Sequence, residues 1–171
     1  PEYLKTSFVT QTFSDFDAAG QVASSVRETR RYDDFNKATY RTLETTDYTY
    51  NVRGQVKETA VVLTDQQVEG NVEALLAVPT EILSSKTVTN VTRVPDAGYD
   101  AAGRMVNFLS VSFEGETILL GGMDAPRTLA WRDLSAAEKS DLLAGRLRGQ
   151  LQSAVLAVSM ENVEYNPENR M

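Results

Sequence analysis

Thr46-Asp-Tyr-Thr-Tyr50, then Asn51-Val-Arg-Gly54, then Gln55-Val-Lys-Glu-Thr-Ala-Val-Val-Leu63 is the stretch on which the fold turns. Its first five residues alternate, so that Tyr48 and Tyr50 share one face of a strand. Asn51–Gly54 is turn chemistry, with Gly54 in place for the positive φ that a tight hairpin needs. The following run is rich in β-branched residues and reads as the return strand. Residues 39–64 are therefore expected to form a hairpin.

Outward from this hairpin the signal stays β-rich. Residues 3–13 carry Tyr3, Phe8, Val9 and Phe13 among threonines and read as a strand or an extended arm. Lys86–Val94 is β-branched and mostly polar, as a half-exposed strand should be, and Pro95–Gly103 reads as a loop. Met105–Phe113, the pair Glu114-Gly115 and Glu116–Leu120 read as a second hairpin, ended by Gly121-Gly122. In it Leu109, Val111 and Phe113 share one face, with Val106 and Phe108 opposite. Two segments keep two readings. In 14–38, Phe16, Ala19, Val22, Ala23 and Val26 recur at helical spacing, yet Gly20 and Ser24-Ser25 also allow two short strands turning at Ala19-Gly20. In 68–84, Val72, Leu75, Leu76, Ile82 and Leu83 are interrupted by Pro79, which gives a short helix or strand and then a new start.

Ser135-Ala-Ala-Glu138 is a capping box. Behind it Leu143, Leu147, Leu151, Val155 and Val158 form an apolar stripe, which predicts one amphipathic helix over about 136–160. Trp131, just ahead of it, reads as a lid on the core. Gly145 and Gly149 lie one turn apart and leave a bare spot where another backbone can approach. With Leu142, Tyr48 and Tyr50 they make the candidate assembly face. Strands first and a helix last give an α+β fold, predominantly antiparallel β-sheet or sandwich with one C-terminal amphipathic helix. The expected organisation is an N-terminal arm or strand over 1–13, one globular domain over 14–160 and a polar tail over 161–171.

Four places repeat one local pattern: Phe16–Val22, Tyr32–Ala38, Tyr50–Val56 and Tyr99–Met105. Each has an aromatic, then Asp or Asn, two residues, Gly or Asn, a polar residue and an apolar one. Asp or Asn bonds the backbone ahead of it, and the Gly or Asn takes the left-handed position. The pattern resembles the tyrosine–aspartate (YD) repeats of Rhs-type toxin-shell proteins. That resemblance implies successive β-hairpins, with Tyr32, Tyr50 and Tyr99 as packing aromatics and Asp17, Asp33 and Asp100 as turn formers. The chain departs from the family in the long gap before the fourth copy and in the helix that follows.

The 171 residues include no histidine and no cysteine. The commonest general acid/base near neutral pH, the commonest nitrogen metal ligand and all thiolate chemistry are absent. Carboxylates remain. Asp15/Asp17, Asp33/Asp34 and Glu114/Glu116 are the candidate pairs for acid/base work or Ca²⁺ binding, but adjacent acids in turns read as solvated, and no EF-hand loop spacing occurs. Gly121-Gly122 lacks the helix and the cation that a phosphate loop requires, and Asp124 would repel phosphate. Catalytic, cofactor and metal residues are expected to be none.

A net charge of −7 makes nucleic acid a poor partner. Arg27, Arg30 and Arg31 are followed at once by Asp33 and Asp34 and read as a solvated mixed-charge turn. No run is long and apolar enough to span a bilayer, so no membrane partner is expected. The opening Pro-Glu-Tyr suggests a chain made in the cytoplasm without a signal peptide. The expectation is a non-catalytic structural subunit of a larger homo-oligomeric assembly, such as a virus-particle protein of the capsid-decoration, neck or tail-tube type, whose partners are itself and other subunits. The alternatives are a YD-repeat-like shell segment and a small module holding a hydrophobic ligand between sheet and helix.

Overall fold

The computed structural model describes residues 6–69, 81–120, 127–144 and 155–160. Nine strands are defined among them: β1 (Thr6–Phe16), β2 (Val22–Asp33), β3 (Ala38–Tyr50), β4 (Val56–Val68), β5 (Ile82–Arg93), β6 (Phe108–Glu114), β7 (Thr117–Leu120), β8 (Arg127–Ala130) and β9 (Val155–Met160). A single 3₁₀ turn, Trp131–Asp133, leads into helix α1 (Ala136–Leu143). The fold is α+β and mostly antiparallel sheet. One sheet has the order β1-β2-β3-β4-β5-β6-β9, so its first six strands follow chain order, and β7 and β8 form a separate pair.

Local turn chemistry produces this meander. Asp17 Oδ1 accepts from the N–H groups of Ala19 and Gln21 at 2.9 and 2.8 Å. Asn51 Oδ1 accepts from Arg53 and Gln55 at 2.9 and 3.0 Å, and Asp100 Oδ1 from Ala102 and Arg104 at 2.9 Å each. Each acidic or amide side chain thus ties down the turn that it opens. Gly20, Gly54 and Gly103 stand at φ 77°, 76° and 77°, the left-handed residue of a three-residue loop.

The second copy departs from the pattern. Asp33 and Ala38 are opposed across β2 and β3, so four residues lie between them. The extra residue moves the left-handed position from the expected Asn36 to Lys37, whose φ is 51°. Asn36 instead donates from its side chain to Asp33 Oδ2 at 2.7 Å. The ambiguous segment 14–38 is thereby a strand pair and not a helix. The polar residues at Gly20 and Ser24-Ser25 outweigh the helical spacing because each has a partner in the ladder or turn.

Contacts divide the chain into two compact units, Pro1–Asp47 with Val61–Val88, and Tyr48–Ala60 with Thr89–Met171. In the first, β1 and β2 pair from Thr6↔Asp33 to Asp15↔Ser24, after which a register shift marks a bulge. One face of β2 and β3 carries Glu28, Arg30 and Arg41, and the other carries Thr29, Arg31, Tyr40 and Thr42. Neither face of this stretch is an apolar core.

The second unit holds the core. Val91, Val111, Phe113, Ile118, Leu120, Trp131, Leu134, Leu142 and Leu143 cluster, with Ala60, Leu109 and Leu129 packed against them. The expected face Leu109/Val111/Phe113 is the one that packs inward. Two expectations are corrected here. Strand β6 does not turn back on β7. Beyond Gly115, at φ 82°, β7 pairs with β8 from Thr117↔Ala130 to Leu120↔Arg127. The helix is also far shorter than 136–160. Its capping box forms as read, with Ser135 Oγ accepting from Glu138 N–H at 3.1 Å and Glu138 accepting from Ser135 N–H at 2.9 Å. It ends at Leu143, and residues 155–160 belong instead to β9, paired with β6 from Phe108↔Met160 to Phe113↔Val155.

Candidate functional site

Strand β1 lies at one edge of the first unit's sheet. Among the described residues it has one neighbour in its sheet, β2, and the backbone donors and acceptors of its outer side have no strand partner there. Every residue from Thr10 to Phe16 is exposed. Phe13 and Phe16 are 67% and 64% exposed, too much for core residues of a monomer. Between Thr6 and Phe16 the only charge is Asp15, whose carboxylate accepts from Ser24 Oγ at 3.4 Å, and there is no Lys, Arg or Pro. Its own sequence supplies no basic or proline gatekeeper, and among the described residues the first blunting device is the bulge at its end.

The neighbouring strands are tied to one another by ion pairs and hydrogen bonds. Glu28 Oε1 accepts from Arg30 Nε at 2.7 Å and Arg41 Nε at 2.8 Å, and Arg41 also donates to Gln66 at 3.2 Å. Burial pushes the Glu28 carboxyl up, but the hydrogen bonds and charges of Arg41 and Arg30 outweigh it and hold it below its ordinary value. On the opposite face a groove of about 620 Å³ runs over β2 to β5, lined among others by Thr29, Arg31, Tyr40, Thr42, Asp65 and Lys86. Arg31 lies over the Tyr40 ring at 4.8 Å, and Thr42 donates to Asp65 at 2.8 Å. Hydroxyls, amides and mixed charges line it, a chemistry for polar groups.

In the second unit a cleft of about 460 Å³ between the strands and α1 is lined mostly by polar and charged residues, among them Thr49, Lys57, Glu58, Arg93, Lys139 and Ser140. Trp131, expected as a lid, is 5% exposed and donates from Nε1 to Glu58 Oε1 at 2.7 Å. Glu58 Oε2 in turn accepts from Arg93 Nε at 2.8 Å, and Arg93 reaches Ser140 on α1 at 3.2 Å. This chain ties β4, β5, the 3₁₀ turn and α1 together. Sequence reasoning did not find it. Glu58 sits in an alternating strand and carries no local signal of a partner 73 residues away.

Of the five residues chosen from the sequence as an assembly face, Tyr48, Tyr50 and Leu142 lie among the described residues. Tyr48 and Tyr50 do share a face, with rings stacked at 6.4 Å and both half-buried. Leu142 is 1% exposed and lies inside the core, so its side chain is already taken up. Gly145 and Gly149 lie outside the described residues, as do Leu147, Leu151 and the tail over 161–171. Among the acids, Asp17 and Asp33 form turns, and Glu114 and Glu116 are exposed. Asp33 is held below the usual carboxylate range by the Asn36 side chain first, and Asp100 by the Arg104 backbone N–H first. A carboxyl tuned as a general acid moves the other way. Comparison with protein-family models, with curated proteins and with solved structures finds no match to this chain.

Proposed function

We propose that this chain is a non-catalytic structural subunit of a larger homo-oligomeric assembly, of the kind that builds the decoration, neck or tail tube of a virus particle. The observation that carries the proposal is the state of β1. An eleven-residue edge with one charge, two exposed phenylalanines and no gatekeeper is a template for strand pairing. A chain that kept it bare would aggregate, and symmetric association covers it.

Native mass spectrometry and gel filtration at micromolar concentration test the reading. A closed oligomer is expected. A strict monomer overturns it.

A second reading, a YD-repeat-like shell segment, draws on the three consecutive hairpins closed by the repeated turn. Electron microscopy of the purified chain separates the two, since rings or tubes favour the first and hollow shells the second. The hydrophobic-ligand alternative has less to draw on, because the cleft beside α1 is lined by Lys57, Glu58, Arg93, Lys139 and other polar groups, while the apolar Trp131, Leu142 and Leu143 pack into the core.

A further inference from the structure

We propose that β1 pairs antiparallel with β1 of a second copy about a two-fold axis passing through Gln11. The inference rests on the assembly reading above and commits it to one interface.

Symmetry restricts the choice. A two-fold axis normal to the sheet makes the two edge strands antiparallel and keeps each sheet face continuous across the junction. Directly opposed residues then share a face, so their numbers sum to an even value, and the axis falls on a residue. Full overlap of Thr6–Phe16 with its copy puts that residue at Gln11.

In this register Phe13 lies opposite Val9 of the second copy on both sides of the axis, and Thr10 lies opposite Thr12. Phe13, 67% exposed in the single chain, gains an apolar neighbour directly across the junction. Charge selects the same polarity. Asp15 is the one ionised residue of the strand. The antiparallel arrangement separates the two copies of Asp15 by eight residues, roughly 27 Å at strand rise, beyond screening range in physiological salt. A parallel in-register pairing would set them side by side, where like charges repel.

The absence of cysteine from the sequence makes a clean test. Positions 10, 11 and 12 are exposed, so single cysteines there disturb no core packing, and only Thr10→Cys gives up a contact, the long exposed hydrogen bond with Thr29 at 3.4 Å. Under mild oxidation Gln11→Cys is expected to link into a covalent dimer, because opposed Cα atoms lie roughly 4.5–5.5 Å apart, within disulfide reach. Thr10→Cys mixed with Thr12→Cys is expected to link as a heterodimer. Thr10→Cys alone and Thr12→Cys alone should link several-fold less, since diagonal neighbours stand roughly 7–8 Å apart. Equal linking at all three positions, or linking at 10 or 12 without 11, overturns the register. The unmodified chain is weighed in parallel by native mass spectrometry. An oligomer whose Gln11→Cys form does not link defeats this interface and leaves the assembly reading standing, whereas a monomer defeats both.

Discussion

Lys37 shows how one residue of loop length changes what the sequence demands. The pattern shared by four turns places Gly or Asn three residues beyond the acid, and in three copies a glycine there does adopt the left-handed backbone. Around Asp33 the loop is one residue longer, so the left-handed site falls on Lys37, a residue type with a Cβ that crowds the following carbonyl there. Lys37→Gly removes that crowding and is expected to raise the melting temperature by a few degrees, despite the loss of its exposed ion pair with Asp34. Gly20→Ala should do the opposite and cost about 1 kcal/mol, because nothing crowds the new Cβ and the backbone conformation alone is at fault. Thermal melts of the two variants beside the parent chain check the sign of each. Turn chemistry was legible in the sequence because it is local, being settled by an acid and the amides two to four residues on. Loop length was not, because it is set by which strand residues pair across it.

At the scale of elements, legibility follows the range of the interactions. The hairpin at 39–64 and the capping box at Ser135 were readable from neighbouring residues. The long helix was not. Its stripe ran from Leu143 through Leu147 and Leu151 to Val155 and Val158, and the pairing of residues 155–160 with β6 claims the last two for the sheet. Likewise Glu116–Leu120 reads as the return strand of β6 until β8 is seen to be its partner. The ion triad of Glu28, Arg30 and Arg41 belongs to this long-range class, since Glu28 and Arg41 are 13 residues apart. It yields a pH prediction. Its carboxyl titrates below the ordinary 4.5 in the folded chain. The stabilisation is therefore fully present above 4.5, declines as pH falls and the unfolded chain takes up its proton first, and is gone below the folded value. Glu28→Gln should lower stability at neutral pH by about 1–3 kcal/mol, since two half-buried guanidiniums lose their charged acceptor. Melts of both chains on acidification through 4.5 should show the gap closing. A gap that stays constant would mean that the triad packs by shape and not by charge.

For the whole molecule, charge and edge act in opposite senses. Each copy carries a net −7, so bringing copies together costs electrostatic work that salt relieves. The edge of β1 contributes hydrogen bonds and apolar contact, neither of which salt weakens. Association is therefore expected to tighten as ionic strength rises, the reverse of an assembly held by ion pairs. The candidate face chosen from sequence drew on glycine spacing and tyrosines. Strand β1 is not part of that face, because an edge is a property of strand order, which no single segment reveals. A charge placed at the proposed axis separates the two contributions. Gln11→Lys sets two ammonium groups directly opposite each other, supplying the gatekeeper that this edge lacks. The position is exposed, so the monomer fold should melt as before. Sedimentation equilibrium is expected to show the dimer weakened by about tenfold or more, the equivalent of roughly 1.4 kcal/mol, at low salt. Added salt should restore part of the loss by screening the new pair. Gln11→Thr, uncharged and at home in a strand, should leave association unchanged. Unaltered association in Gln11→Lys at every ionic strength would show that the copies meet on another surface.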